Sequence, residues 1–252
     1  MSPESAVDAG AHGADRGRHV PDHRALAHHF DTLDEQREAA TLGMWVFLTT
    51  EVLFFGVLFA TYTIYRAWYP DAFAAASHEL HIWLGTINTA VLIASSLTMA
   101  LAVHAAQTNR RNGTVGFLAL TIVLGSVFLG IKAYEYYHKY EERLIPGRMF
   151  SLSAGHGTPQ DTVLRETEPP FMENDEIDED PVQLFFSFYF AMTGLHATHM
   201  VIGVAILAVL MAAARRGAFS ADYFTPVEMT GLYWHFVDIV WVFLFPLLYL
   251  IR

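Results

Sequence analysis

The stretch that decides the fold is residues 42–68, which read LGMWVFLTTEVLFFGVLFATYTIYRAW. It holds one acid, Glu51, and one base, Arg66, among apolar, aromatic, small and hydroxyl-bearing residues. An α-helix needs about 20 predominantly apolar residues to cross the ~30 Å hydrocarbon layer of a membrane. The stretch is longer than that and lacks the polar stripe of a helix lying on a soluble core. It therefore predicts a membrane-spanning helix.

Four further runs of the same kind follow along the chain. The five predicted spans lie at about 42–68, 81–107, 114–138, 183–214 and 226–251. None shows the two-residue alternation of a membrane β-barrel strand. The sequence therefore predicts an all-α polytopic membrane protein. Residues 1–41 would form a polar tail, residues 42–251 a five-helix transmembrane domain, and residues 139–181 a long acidic loop within it.

The charge of the chain agrees with this division. Only 16% of its residues are charged, whereas a soluble domain carries roughly 25%. The net charge of −11 comes from residues 1–40, with 8 acids and 4 bases, and residues 139–181, with 11 acids and 4 bases. The remaining body is neutral, which argues against nucleic-acid binding. The chain has no cysteine, which excludes a disulfide scaffold and any cysteine-ligated metal.

Orientation in a membrane follows from the positions of lysine and arginine, which favour the cytoplasmic side of short loops. Two arginine pairs, Arg110 with Arg111 and Arg215 with Arg216, lie in short connections on the same predicted side as the N-terminus. We therefore expect a cytoplasmic N-terminus, with the acidic loop 139–181 and the C-terminus outside.

Ionisable residues inside a span are costly and require partners. At 1.5 Å per residue, Glu51 and His235 lie about 14 Å, Asp238 about 18 Å and His196 about 12 Å from the cytoplasmic end of their spans. This shared level predicts a buried polar cluster that ties the first, fourth and fifth spans together. Its members, for which we expect a role in packing or in proton handling, are Glu51, His196, His199, His235 and Asp238. A haem or metal site on the three histidines is a less favoured alternative, and we expect no metal in this chain.

The third span carries a second set of charges at helical spacing. Lys132, Glu135, Lys139 and Glu142 fall on one helix face, where opposite charges three and four residues apart stabilise a helix. We expect a structural charge ladder at the outer face, with the Lys132 stem reaching toward the outer headgroups. Gly125 and Gly130 would allow close helix packing in the same span.

Four motifs occur in order along the chain. Residues 49–56 read Thr-Thr-Glu-Val-Leu-Phe-Phe-Gly, residues 88–95 Asn-Thr-Ala-Val-Leu-Ile-Ala-Ser, and residues 193–199 Thr-Gly-Leu-His-Ala-Thr-His. Glu228, an acid at the inner edge of the last span, precedes residues 233–241, Tyr-Trp-His-Phe-Val-Asp-Ile-Val-Trp. In this order they resemble the Ser/Thr-Glu-x-x-Phe-Phe, Asn-Thr-x-x-Leu-x-x-Ser, Thr-Gly-x-His-x-x-His and Tyr-Trp-His-Phe-Val-Asp-x-Val-Trp motifs of the cytochrome c oxidase subunit III family.

This resemblance implies a non-redox subunit of a bacterial haem–copper terminal oxidase in the inner (plasma) membrane. The parent complex transfers electrons to oxygen in aerobic respiration and pumps protons, with haem and copper held by partner subunits. The implied partners of this chain are subunits I and II and membrane phospholipids. The family implies that the chain stabilises subunit I, supports its proton uptake and limits inactivation during turnover. Glu51 matches the buried glutamate of the family that reacts with carbodiimides.

The resemblance corresponds to the last five helices of the seven-helix mitochondrial form, so we expect the short bacterial form. The acidic loop 139–181 is longer than usual for the family. It would either steer a basic partner such as cytochrome c or a docking subunit or be an insertion that is merely solvated. Alternatives within the family are the equivalent subunit of a quinol oxidase or a nitric oxide reductase. Alternatives of other classes are a haem-binding membrane cytochrome and a transporter, although the internal repeats of many transporters are not visible.

Overall fold

The computed structural model describes residues 30–142, 144–146 and 179–251. Within these residues the chain is helical and has no strand. Five of its helices are long and apolar enough to cross a membrane, which confirms the predicted all-α, five-span fold. The helices are α1 Leu33–Trp68, α2 Pro70–His78, α3 Ile82–Gln107, α4 Arg111–Glu141, α5 Glu179–Arg215 and α6 Thr225–Tyr249.

The first helix begins at Leu33, before the predicted start at residue 42. Its polar first turns are helical because they are capped: Thr32 Oγ1 accepts a hydrogen bond from the Glu35 amide at 3.1 Å. The Glu35 carboxylate in turn accepts one from the Asp31 amide at 3.2 Å. Such reciprocal caps satisfy amide groups that a helix start leaves unpaired. Residues 1–29 of the predicted tail lie outside the described part of the chain.

Two predicted connections contain helix. The short helix α2 occupies most of the connection 69–80 and starts at Pro70, where the fixed φ of proline suits a first helical turn. Helix α4 continues to Glu141 and so extends into the segment predicted as the acidic loop. Most of that loop, residues 147–178, lies outside the described residues.

Four of the long helices form a closed ring. Helix α3 packs against α4, α4 against α5, α5 against α6, and α6 back against α3. Helix α1 lies outside this ring and packs chiefly on α6. It runs parallel to α6, since Arg37 meets Glu228 at one end and the Tyr62 hydroxyl donates to the Leu247 carbonyl at the other.

Trp234 of α6 lies at the centre of the ring and contacts the other three helices. Its indole N–H donates to Ser95 Oγ of α3 at 2.9 Å. A Cβ placed on Gly125 of α4 would lie 2.8 Å from the indole, and one on Gly203 of α5 would lie 2.9 Å from it. Gly125 thus permits close packing as predicted, whereas Gly130 has nothing within 4 Å of its Cβ position and is not at a helix contact.

The tight turns of the bundle gather at its arginine-rich end. Asn109, after α3, and Gly217, after α5, both have positive φ, a conformation that glycine and asparagine adopt at low cost. The Arg111 guanidinium donates to the carbonyls of Ala214 and Arg215 at the end of α5. At this same end the predicted inner-edge acid Glu228 pairs with Arg37 at 3.1 Å.

Candidate functional site

Glu51 of α1 pairs with His199 of α5. Their closest atoms, Oε2 and Nε2, are 3.3 Å apart, and the side chains are 19% and 14% exposed. On the other side of the imidazole, Nδ1 lies 2.9 Å from the Leu195 carbonyl oxygen. A carbonyl only accepts, so Nδ1 carries a hydrogen and donates it.

Glu51 and His199 thus form a contact between a carboxyl group and an imidazole across α1 and α5. The contact is an ion pair when the imidazole is charged.

The pair links three helices. The Tyr233 hydroxyl of α6 donates to the His199 carbonyl at 2.9 Å, and the Phe55 ring of α1 lies 5.5 Å from the imidazole. Two members of the predicted polar cluster are therefore joined directly, and the junction ties α1, α5 and α6.

His196 lies elsewhere, in the aromatic interior of the bundle. It is 1% exposed, and its ring lies 5.4 Å from Phe128 and 5.2 Å from Trp241, centroid to centroid. Neither of its ring nitrogens has a hydrogen-bond partner within the described residues. His196 and His199 are three residues apart, so a helix turns them by about 60° relative to each other, and only His199 meets Glu51.

His235 and Asp238 lie at a third place, between α3 and α6. The Ser96 hydroxyl and His235 Nδ1 form a hydrogen bond of 2.7 Å. Asp238 is 5% exposed, and both of its carboxylate oxygens lack a partner in the part of the chain that the structure describes. The residues of the predicted single cluster thus lie at three separate sites. The helical rise per residue determines the depth of a side chain in the membrane but not the direction in which it points.

The charged residues of α4 form a closed interior network. Lys132 Nζ donates to Glu135 Oε2 at 3.0 Å, to the Tyr189 hydroxyl at 3.1 Å and to the Tyr249 hydroxyl at 3.0 Å. The two hydroxyls donate to Glu135 Oε1 at 2.9 and 2.5 Å. Lys132 is only 3% exposed and points into the bundle, so the expectation that it extends to the headgroups is wrong. All three ammonium protons and both carboxylate oxygens are used.

The second half of the charge ladder lies nearer the end of α4. Lys139 is 1% exposed and donates to the Glu79 carbonyl at 2.7 Å and to Glu142 Oε2 at 2.6 Å. His138 Nε2 lies 3.1 Å from the other oxygen of Glu142. The four residues of the predicted ladder do share one helix face, and three of them are buried.

Sequence reasoning did not single out Tyr189 or Tyr249. The signal for the tyrosines was available: a lysine within a span needs more acceptors than one glutamate supplies. Which tyrosines supply them depends on how α4, α5 and α6 pack, and no local pattern encodes that. The chain's described residues include no group of three or more histidine, aspartate or glutamate side chains placed to hold a metal ion.

These features define a multi-pass helical membrane protein whose polar side chains are arranged between helices. The sequence profile of the family described as "Cytochrome c oxidase subunit III" matches residues 25–141 and 179–251. The chain belongs to the cytochrome c oxidase subunit III family and is thus a subunit of a haem–copper terminal oxidase complex.

Relatives of two kinds are similar to the chain over most of its length. Cytochrome c oxidase subunit 3 of Thermostichus vulcanus is 32% identical over 226 residues, which cover 88% of this chain and 92% of the relative. A probable quinol oxidase subunit 3 of Staphylococcus epidermidis is 29% identical over 233 residues, covering 90% and 97%. Cytochrome bo(3) ubiquinol oxidase subunit 3 of Pseudomonas aeruginosa is 24% identical, covering 92% and 95%.

Proposed function

We propose that this chain is a non-catalytic, non-redox subunit III that stabilises subunit I of a bacterial haem–copper oxidase and supports its proton uptake. The observation that carries the proposal is the contact of 3.3 Å between the Glu51 carboxyl group and the His199 imidazole at the side of the bundle. Imidazole and carboxyl groups are the side chains that most often transfer protons in proteins.

The position of the pair suits proton exchange with a neighbouring molecule better than that of the fully buried polar groups. Glu51 is 19% exposed, whereas Lys132, Glu135 and His196 are each 3% exposed or less. The α1 surface around Glu51 is apolar and exposed, with Val52 at 56% and Phe54 at 50%. The pair is therefore accessible from the side of the bundle, whereas the interior network is enclosed.

The exposed apolar side chains of α1 also support contact with lipid or with another subunit. Only 11% of the residues in its apolar window are buried, so most of this helix presents apolar surface to its surroundings. Phospholipid acyl chains and subunit I are the neighbours we propose for it, with haem and copper held by subunits I and II. We propose the bacterial plasma membrane as the location, with the arginine-rich end cytoplasmic.

The electron donor of the complex is either cytochrome c or a quinol. Relatives named for both donors cover nearly the whole chain, and their identities are similar. The acidic loop predicted to meet cytochrome c lies mostly outside the described residues. Assay of the purified complex with reduced cytochrome c and with a quinol distinguishes the donors, and nitric oxide in place of oxygen tests for a reductase.

The test of the proton role is Glu51→Gln in the assembled oxidase. Glutamine retains the shape of the side chain and can donate a hydrogen bond to His199, but it has no proton to exchange. We expect oxygen consumption to slow and inactivation during turnover to accelerate several-fold, while the amount of chain in the complex is unchanged. Glu228→Gln is the matched control, because that carboxylate lies in a surface ion pair with Arg37. Equal turnover and equal inactivation for both variants would overturn the proton role.

A further inference from the structure

Four arginines lie on two neighbouring segments at one end of the bundle. Arg110 and Arg111 lie where α3 turns into α4, and Arg215 and Arg216 lie at the end of α5. All four residues are exposed. The two segments touch, because the Arg111 guanidinium donates to the carbonyls of Ala214 and Arg215. The four arginines therefore form one basic surface, the arginine patch.

The sequence around the arginine patch supplies no neighbouring acid. Residues 80–134 and 181–221 contain no aspartate or glutamate. At the same end of the bundle, Glu228 is paired with Arg37, and Asp222 lies in the connection that follows α5. The acids in the first turns of α1 belong to a helix that packs chiefly on α6, whereas the patch lies on α4 and α5. The patch therefore keeps a positive charge that favours an anionic ligand.

The arginine patch lies at the level of lipid headgroups. Residues 112–131 of α4 contain no ionisable side chain, and at 1.5 Å per residue they span about 30 Å, the thickness of the hydrocarbon layer. Arg111 precedes this stretch, so the patch stands at one surface of the membrane. The helices beneath it expose apolar side chains, with Val123 of α4 at 56% and Val209 of α5 at 69%. A ligand with a charged head and apolar chains fits this arrangement.

The chemistry of the arginine patch suits the phosphate group of a lipid. A guanidinium group donates two parallel hydrogen bonds to phosphate oxygens and stays charged at physiological pH. A zwitterionic headgroup also carries an amine cation, which the remaining arginines repel. Basic residues beside transmembrane helices attract anionic lipids for the same reason. The excess of arginine over acid therefore selects a headgroup with a net negative charge.

We propose that the arginine patch binds the headgroup of an anionic phospholipid, whose acyl chains lie against α4 and α5. Free phosphate offers the same recognised group but has no apolar part to cover the helices below. The proposal deepens the proposed function, in which phospholipid is a neighbour of the chain, and it adds a contact that selects the headgroup. It does not depend on the proton role of Glu51.

The proposal is tested by lipid binding to the delipidated, assembled oxidase, measured by native mass spectrometry. Phosphatidylglycerol and phosphatidylcholine are compared on the wild type and on the double variant Arg110→Gln with Arg216→Gln, which leaves the Arg111 contacts in place. We expect the wild type to prefer phosphatidylglycerol. The double variant should bind this lipid roughly ten-fold or more weakly, because each basic residue near the surface contributes to the attraction. Inorganic phosphate in excess should not displace the lipid.

Two further double variants serve as controls. Arg37→Gln with Arg66→Gln removes two arginines outside the patch and should leave the lipid preference unchanged. Arg110→Lys with Arg216→Lys keeps the charges of the patch and should retain the preference. Equal binding of phosphatidylglycerol by the wild type and the patch glutamine variant, equal affinity of the wild type for the two lipids, or displacement by inorganic phosphate would overturn the proposal.

A second measurement needs no variant of the chain. Phosphatidylglycerol with a photoactivatable headgroup is bound to the assembled oxidase and activated by light. We expect labelled peptides from this chain to include residues 108–116 or 213–220. Labelling of this chain only at other positions would contradict the assignment.

The two proposals fail in different ways. If the patch glutamine variant binds phosphatidylglycerol like the wild type while Glu51→Gln slows turnover, the lipid site is wrong and the proposed function stands. If the lipid preference depends on the patch but Glu51→Gln and Glu228→Gln behave alike, the proton role is wrong and the lipid site stands.

Discussion

At the scale of single residues, a lysine and a glutamate lie inside a membrane bundle, and every hydrogen-bonding group of their charged ends has a partner. Lys132 donates three hydrogen bonds, and Glu135 accepts from Lys132, Tyr189 and Tyr249. Removing one member of a buried ion pair leaves the other uncompensated, which is far more destabilising than replacing both. The network therefore acts as a unit that joins α4, α5 and α6.

We expect Lys132→Met to destabilise the bundle by about 3–5 kcal/mol, because it leaves the Glu135 charge buried without a cation. The double variant Lys132→Met with Glu135→Gln removes both charges and should recover much of that loss. Thermal denaturation in detergent, followed by loss of helical circular dichroism, ranks the variants. Arg37→Gln is the control, since it breaks an exposed pair and should cost only about 0–1 kcal/mol. A double variant less stable than Lys132→Met would contradict this view.

Sequence reasoning identified most of the polar residues between the helices. Beyond the pairs Lys132–Glu135 and Lys139–Glu142, it did not identify their partners. Glu51, His196, His235 and Asp238 were selected because charges and imidazoles are rare within spans. They were grouped because the helical rise per residue places them at one level of the membrane. The rotation of each helix about its own axis decides where its side chains point, and it placed these residues at three separate sites. The Glu51–His199 contact, for instance, depends on where α1 packs outside the ring.

At the scale of the helix, the close approach of α4, α5 and α6 depends on two glycines around one indole. A Cβ on either Gly125 or Gly203 would lie less than 3 Å from the Trp234 ring. The apolar runs predicted the existence of the five helices, because length and hydrophobicity suffice for a span. They did not predict the polar turns before residue 42 or the helix α2, which depend on capping and on Pro70.

We expect Gly203→Ala to lower the melting temperature of the chain in detergent. The added methyl group would lie 2.9 Å from the Trp234 ring, and such overpacking typically costs about 1–3 kcal/mol. Gly130→Ala is the matched control, since nothing lies within 4 Å of its Cβ position. It should leave the melting temperature unchanged or raise it, because alanine favours a helix by up to ~1 kcal/mol. A lower melting temperature for Gly130→Ala than for Gly203→Ala would refute the assigned contacts.

At the scale of the whole molecule, the membrane body is neutral, and the net charge of −11 belongs to the tail and to the segment 139–181. The described helices place Arg37, Arg111 and Glu228 at one end of the bundle. Family membership follows from motifs on four of the five spans, which is why the sequence was sufficient to recognise it. The inter-subunit contacts were not predictable, because they depend on surfaces formed only after the helices pack.

Two positions on α4 test the orientation in the membrane. Asn112 and Tyr140 are both exposed and are about 42 Å apart along the helix. Because the chain has no cysteine, Asn112→Cys and Tyr140→Cys each supply a single thiol. A membrane-impermeant maleimide added to intact cells should label the cysteine at 140 and not the one at 112. Labelling of position 112 alone would reverse the proposed orientation.

The most direct test of the central claim compares the oxidase isolated with and without this chain. If the chain is a non-redox subunit that supports subunit I, the complex without it should keep the haem spectrum of the intact oxidase. Its oxygen consumption should nevertheless be slower and should decline sooner during continuous turnover. Restoring the chain should restore both properties. Identical rates and identical lifetimes for the two preparations would contradict the account.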